Sequence, residues 1–225
     1  MTVAVPLPNG TVEVSTAWTR PAGDPWAGVV LAHGAGAGMD HPFLVGVADA
    51  LAAEGVAVLR FTFPYLQAGR RMPGPAAHAV TAWDAVFAAA ASELPGVPLV
   101  AAGKSYGGRM ASMAVAEGRI DPAGLVYLGY PLHPPGRPEK ARSAHLPQIA
   151  CPQLFLAGTK DPFLQPLDQF TDVVATCRDA EIVWTDGGDH SFAVAGRRLP
   201  PEEVGAGLVP PITTWLRGLA QRPAA

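Results

Sequence analysis

Three polar side chains in this sequence stand where chemistry can be done. Ser105 lies at the centre of Gly103-Lys104-Ser105-Tyr106-Gly107, which fits G-x-S-x-G. Glycines two residues either side of a serine let a strand and a helix pass closely, so the hydroxyl stands at the tip of a strained turn. Asp161 follows in Gly158-Thr159-Lys160-Asp161-Pro162-Phe163, and His190 in Asp186-Gly187-Gly188-Asp189-His190-Ser191-Phe192. A serine is too weak a nucleophile without a base. A histidine that takes its proton, and a carboxylate that fixes the imidazole tautomer, supply the activation. Ser105, His190 and Asp161 are the candidates for these roles. Asp186 and Asp189 are rivals for the acid, although Asp189 adjoins His190 and is poorly placed to reach its far ring nitrogen.

A developing oxyanion needs N–H donors. The loop His33-Gly34-Ala35-Gly36-Ala37-Gly38 can bring a backbone N–H, that of Ala35, close to a reacting carbonyl, and Tyr106 N–H opens the helix after Ser105. Other chemistries fit less well. A dinucleotide fingerprint G-x-G-x-x-G fails from Gly34, where Met39 takes the third position, and from Gly36, where His41 does. Gly103-Lys104-Ser105 resembles the end of a phosphate loop, but Pro98 stands where that motif needs glycine. No H-E-x-x-H or C-x-x-C occurs, so neither a metal nor a cofactor is expected.

These residues must be positioned by regular elements. Alternating residues around Asn9-Gly10 signal a hairpin. Short apolar runs then alternate with longer helical stretches. The runs are 28–32, 56–61, 98–102, 124–128, 153–157 and 181–184, and helices are expected near 41–54, 76–94, 105–117, 165–177 and 201–221. Most runs are continuous, as in parallel strands buried on both faces. The order predicts an α/β fold: a mostly parallel sheet with helices on both faces, in one domain over residues 1–225. Ser105, Asp161 and His190 each fall just past the C-terminal end of a strand, where open α/β sheets carry their sites.

Composition narrows the class further. Hydrophobic residues make up 49% and charged residues 16%, which argues against disorder. The net charge is −3 and the pI about 6.0, which gives no general attraction to nucleic acid. Two cysteines make no disulfide framework and read as reduced thiols. The N-terminus lacks a basic region and a sustained apolar run, and no window approaches the ~20 residues of a membrane span. A cytoplasmic protein without membrane contact is expected.

The motifs together resemble the α/β-hydrolase superfamily. They are most similar to a small hydrolase-like subgroup named for a subunit of the NSL chromatin complex and a testis-expressed hydrolase-like protein. The shared segments are His-Gly-Ala-Gly-Ala-Gly-Met-Asp-His-Pro-Phe from His33, Arg-Phe-Thr-Phe-Pro-Tyr from Arg60, Gly-Lys-Ser-Tyr-Gly-Gly-Arg-Met from Gly103, Tyr-Pro-Leu-His-Pro-Pro-Gly-Arg-Pro-Glu-Lys from Tyr130, Gly-Thr-Lys-Asp-Pro-Phe from Gly158 and Gly-Gly-Asp-His-Ser-Phe from Gly187. The resemblance implies the α/β-hydrolase fold and a triad of Ser105, Asp161 and His190 in the superfamily's chain order. It names no substrate, and some eukaryotic members look like scaffold subunits. Caps in the superfamily usually enter after the strand at 124–128. Here only the Pro-rich segment 133–150 is inserted, so no separate cap domain and an open site are expected.

The expected function is hydrolysis of an ester or related acyl substrate through an acyl-enzyme, the alternative being an interaction module of the same fold. Half of the 16 Lys and Arg fall on segments expected at the C-terminal edge of the sheet. Lys104, Arg70 and Arg71 are candidate substrate-binding residues, with Arg109, Arg137, Lys140, Arg142 and Lys160 on neighbouring segments. Such a rim would attract an anionic acyl substrate. Solvated side chains, or pairs with local acids such as Glu139, account for the same charges.

Overall fold

The computed structural model describes residues 1–221, so the last four residues of the expected 1–225 domain lie outside the described part. The chain opens with the antiparallel hairpin β1 (Thr2–Leu7) and β2 (Gly10–Thr19), turned at Gly10 with φ 119°. Then come β3 (Ala27–Ala32), α1 (Pro42–Ala53), β4 (Val56–Phe61), the one-turn α2 (Pro64–Gln67), α3 (Ala76–Glu93), β5 (Leu99–Lys104), α4 (Tyr106–Ala116), β6 (Leu125–Leu128), β7 (Gln153–Gly158), α5 (Leu167–Ala175), β8 (Ala180–Thr185), α6 (Pro201–Ala206) and α7 (Val209–Ala220).

The strands form one eight-stranded sheet in the order β1-β2-β4-β3-β5-β6-β7-β8. β2 runs antiparallel to β1 and β4, and all pairs from β4 to β8 are parallel. Each central strand sends alternate side chains to opposite faces. In β7, Phe155 and Ala157 enter one core with Trp83, Met110 and Phe170, while Leu154 and Leu156 enter the other with Leu44, Ile212 and Trp215. α3, α4 and α5 therefore cover one face, and α1, α6 and α7 the other. This is the α/β-hydrolase fold.

Two expectations from sequence are adjusted. The run at 181–184 is the edge strand β8, whose residues are half-buried or exposed throughout, with Trp184 36% exposed. The helix expected over 201–221 is two helices. α6 ends before Gly207, and α7 restarts at Val209 with Pro210 and Pro211 in its first turn, where prolines' missing N–H groups are tolerated.

The inserted segment after β6 forms no domain. It is a strap with two short 3₁₀ turns at Pro138–Lys140 and Leu146–Gln148, anchored by buried Leu132, Leu146 and Ile149. Its middle is pinned where Arg142 N–H donates to Leu132 O (2.7 Å) and Tyr130 O–H donates to Arg142 O (2.6 Å). On the other face α6 crosses α1 at glycines. A Cβ on Gly46 would collide with the backbone of Glu202, and one on Gly205 with that of Phe43. No described helix is long and apolar enough to cross a membrane.

Candidate active site

β5 ends at Lys104, and Ser105 takes φ 47° and ψ −112° before α4 begins. The left-handed φ is rare for a residue with a Cβ and costs about 1–3 kcal/mol, so its surroundings must enforce it. They do so by backbone proximity. A Cβ on Gly103 would collide with Gly107 and Gly108, and one on Gly107 with the carbonyls of Ala32 and His33. Ser105 N–H is held by Leu128 O (3.1 Å), and Trp83 Nε1–H on α3 bonds Gly107 O (3.2 Å). Strand, turn and helix are clamped with the hydroxyl outward.

Asp161 and His190 arrive on the loops after β7 and β8. Gly158 permits their approach, because a Cβ there would collide with Gly188 O. Lys160 N–H also donates to Gly188 O (2.8 Å). His190 Nδ1 lies 2.7 Å from Asp161 Oδ2, and His190 Nε2 lies 2.8 Å from Ser105 Oγ. A carboxylate only accepts, so Nδ1–H donates to Asp161 and Nε2 is left to accept the Ser105 proton. Asp161 is fully buried, and its Oδ1 accepts Phe163 N–H (2.8 Å), so both oxygens are engaged. The Phe163 ring lies against the His190 imidazole, 4.2 Å between centroids. The rival acids are used elsewhere. Asp186 Oδ1 accepts from Thr159 (3.2 Å), and Asp189 Oδ1 accepts Ser191 N–H (2.7 Å) and Ala193 N–H (2.9 Å), tying its own loop.

The glycine loop after β3 is set by His33, which is fully buried. Its Nε2 accepts Phe63 N–H (3.1 Å), so Nδ1–H donates to Gly34 O (2.7 Å). Burial lowers its pKa and keeps the ring neutral, as this pairing requires. From β4, Arg60 Nη1 donates to Met39 O (2.7 Å) and Asp40 Oδ1 (3.1 Å). The Arg60–Tyr65 motif thus braces both ends of the loop. Neither Ala35 N–H nor Tyr106 N–H donates to an acceptor among the described residues. Both residues line a cavity of about 610 Å³ into which Ser105 and His190 also open.

Of the residues expected to bind substrate, the structure brings only Lys104 to this cavity, and its ammonium is already engaged. Lys104 Nζ donates to His190 O (2.6 Å) and lies 5.6 Å from the centre of the Phe192 ring. Desolvation by burial pushes its pKa down to about 8, opposed in part by Asp161 and Asp189. Arg70 and Arg71 are exposed and do not line this cavity. The one-turn α2 carries the chain toward the β1–β2 hairpin, and Arg70 N–H donates to Tyr65 O (2.9 Å). Arg70 therefore lines a separate cavity of about 180 Å³ between the hairpin and Tyr106. The cavity at Ser105 instead receives Arg109 and Arg142 on one side, and Phe43, Leu44, Pro201 and Val204 on the other. Arg109 is legible from spacing, four residues after Ser105 on one helix. The α6 wall carries no such signal. Among the described residues no cluster of His, Cys, Asp or Glu could hold a metal ion.

Residues 25–200 match the model of the alpha/beta hydrolase domain, and the chain belongs to that family. Solved structures with the same fold include an alpha-beta serine hydrolase homologue from Coxiella burnetii, at 22% identity over 84% of this chain and 88% of the other, with a TM-score of 0.67. A serine hydrolase without a lid from Xanthomonas campestris matches at 18% identity over 100% and 96%, with a TM-score of 0.68. A dienelactone hydrolase from Anabaena variabilis matches at 20% identity over 97% and 96%, with a TM-score of 0.72. At these identities the likeness is one of fold.

Proposed function

We propose that this chain is a serine hydrolase that cleaves an ester or related acyl bond through Ser105, His190 and Asp161. The carrying observation is the continuous relay from buried Asp161 through both ring nitrogens of His190 to Ser105 Oγ, with contacts of 2.7 and 2.8 Å at the mouth of a cavity. Ser105 Oγ attacks the acyl carbon while its proton passes to His190 Nε2. The carbonyl electron pair moves to oxygen, where the N–H groups of Ala35 and Tyr106 receive it. Collapse breaks the bond to the leaving group, which takes the proton from His190. Water then loses a proton to His190, attacks the acyl-enzyme, and returns the acid and free Ser105. Asp161 stays ionised and holds the ring in the required tautomer. The quoted motifs resemble those of the small hydrolase-like subgroup of the NSL subunit and the testis-expressed protein, which supports a kinship with it. Free Cys151 and Cys177 support a reducing cytoplasm, and burial pushes the Cys151 thiol up to about 11, away from reactivity.

The test is turnover of short-chain 4-nitrophenyl esters by the parent and by Ser105→Ala. The parent should show Ser105-dependent hydrolysis. The variant should fold and lose kcat by up to the order of 10⁶, the cost of removing an activated serine. A variant that hydrolyses the esters at the parent rate would contradict the proposal.

A further inference from the structure

The cavity at Ser105 is polarised. Its wall from α1 and α6 is apolar, built from Phe43, Leu44, Pro201 and Val204. The opposite wall carries Arg109 from α4 and Arg142 from the strap. Among the described residues no aspartate or glutamate lines the cavity, although the chain as a whole is net acidic. Neither guanidinium forms an ion pair among the described residues: the arginines so paired are Arg20, Arg60, Arg119 and Arg217. Arg109 Nε is buried with no hydrogen-bond partner. Both arginines are half-buried, and the Arg109 Nε donor is cut off from solvent.

The fold places this pair rather than tolerating it. Arg109 N–H donates to Ser105 O (3.1 Å), so its position is fixed one helical turn from the nucleophile. Arg142 is pinned by its own backbone N–H to Leu132 O and by Tyr130 O–H to its carbonyl. Burial lowers the affinity of the Arg109 guanidinium for a proton, and the nearby like charge of Arg142 lowers it further. Two half-buried cations facing one cavity without a carboxylate are stabilised by an anion, and a guanidinium fork matches a carboxylate in particular.

We infer that the substrate carries a second, ionised carboxylate, held by Arg109 and Arg142, on one side of the scissile bond and an apolar group on the other. This rests on the serine hydrolase reading for the bond broken, but the anion site is measurable without turnover. The Ser105→Ala protein is titrated with monomethyl glutarate and with dimethyl glutarate, its neutral counterpart, by calorimetry at low and high salt. The monoanion should bind at least tenfold tighter at low salt, with the advantage shrinking as salt rises. Arg142→Gln and Arg109→Gln in that background should each remove most of the preference, whereas Arg70→Gln, outside the cavity, should keep it. Should Arg109→Gln fail to fold, Arg142→Gln alone decides. Equal binding of the two esters, or a preference that survives Arg142→Gln, overturns the inference. Failure of the hydrolase reading shows separately, as absent turnover of 4-nitrophenyl esters in the parent while the carboxylate preference persists.

Discussion

Ser105 carries a cost as well as a role. Its φ of 47° retains a Cβ where glycine would sit without strain. Ser105→Gly and Ser105→Ala both remove the hydroxyl, but only glycine relieves the backbone. Ser105→Gly should therefore be more stable than Ser105→Ala by about 1 kcal/mol, the low end of the cost of such strain. Paired thermal melts check this, with about 2–4 °C expected for a chain of this length. Equal melting temperatures would mean the turn is unstrained. Lys104 yields a second test at this scale. Its ammonium titrates near pH 8 in the fold and at its ordinary 10.5 when unfolded. Between those values the unfolded chain binds the extra proton, so this residue's contribution to stability rises with pH over that window. Below about pH 8 both states are charged and the full burial penalty remains. The urea midpoint of the parent should gain on that of Lys104→Met from pH 8 to 10, and parallel curves would contradict the assignment. The residues of the relay were legible in sequence because each lies in a short motif directly after a strand. Lys104 was legible as a charge beside Ser105 but not as a tether of His190, because that bond joins residues far apart in the chain.

Elements decide which side chains reach the cavity. Arg70 and Arg71 follow β4 as Ser105 follows β5, and strand position alone placed them at the same edge. The direction taken after the strand depends on α2 packing toward the hairpin, a tertiary choice without a local signature. The C-terminal helix shows the converse: Gly207 and the Pro210-Pro211 pair were present in sequence, and apolar periodicity on both sides masked the break. β8 read as a buried run because its composition is apolar, while its place at the edge follows from topology. The α1–α6 crossing builds the apolar wall and depends on Gly46, whose Cβ would meet the Glu202 carbonyl. Gly46→Ala should therefore destabilise by about 1–3 kcal/mol, as overpacking a tight contact does. Urea denaturation reads this directly, and an unchanged midpoint would show that α6 shifts freely.

Buried His33 and half-buried His145 are both held neutral, and this shapes the behaviour of the whole molecule in acid. His33 is held below its ordinary pKa by desolvation, and His145 is pushed down to about 4 by desolvation and by the charge of Arg109. His145 Nε2 also contacts Ser112 Oγ (2.7 Å), which ties the strap to α4. A depressed folded pKa means that unfolding takes up protons. The contribution of each group is complete above about pH 6.5 and is lost as pH falls toward the folded value. Stability should decline from pH 6.5 to 4, and His145→Gln should flatten part of that slope. An unchanged slope would show that His145 is already protonated in the fold. The α/β order and the strand-end placement of Ser105, Asp161 and His190 were legible because period and chain order are local properties. The polarity of the cavity was not, since it combines α1, α4, α6 and the strap. The proposed hydrolysis turns on Ser105 being a nucleophile activated by His190. A fluorophosphonate probe followed by peptide mass spectrometry tests it most directly. One adduct on the Ser105 peptide, absent in Ser105→Ala and formed far more slowly in His190→Gln, is the expected result. A parent protein left unmodified, or modified only at another residue, would contradict the claim and leave the fold as a binding module.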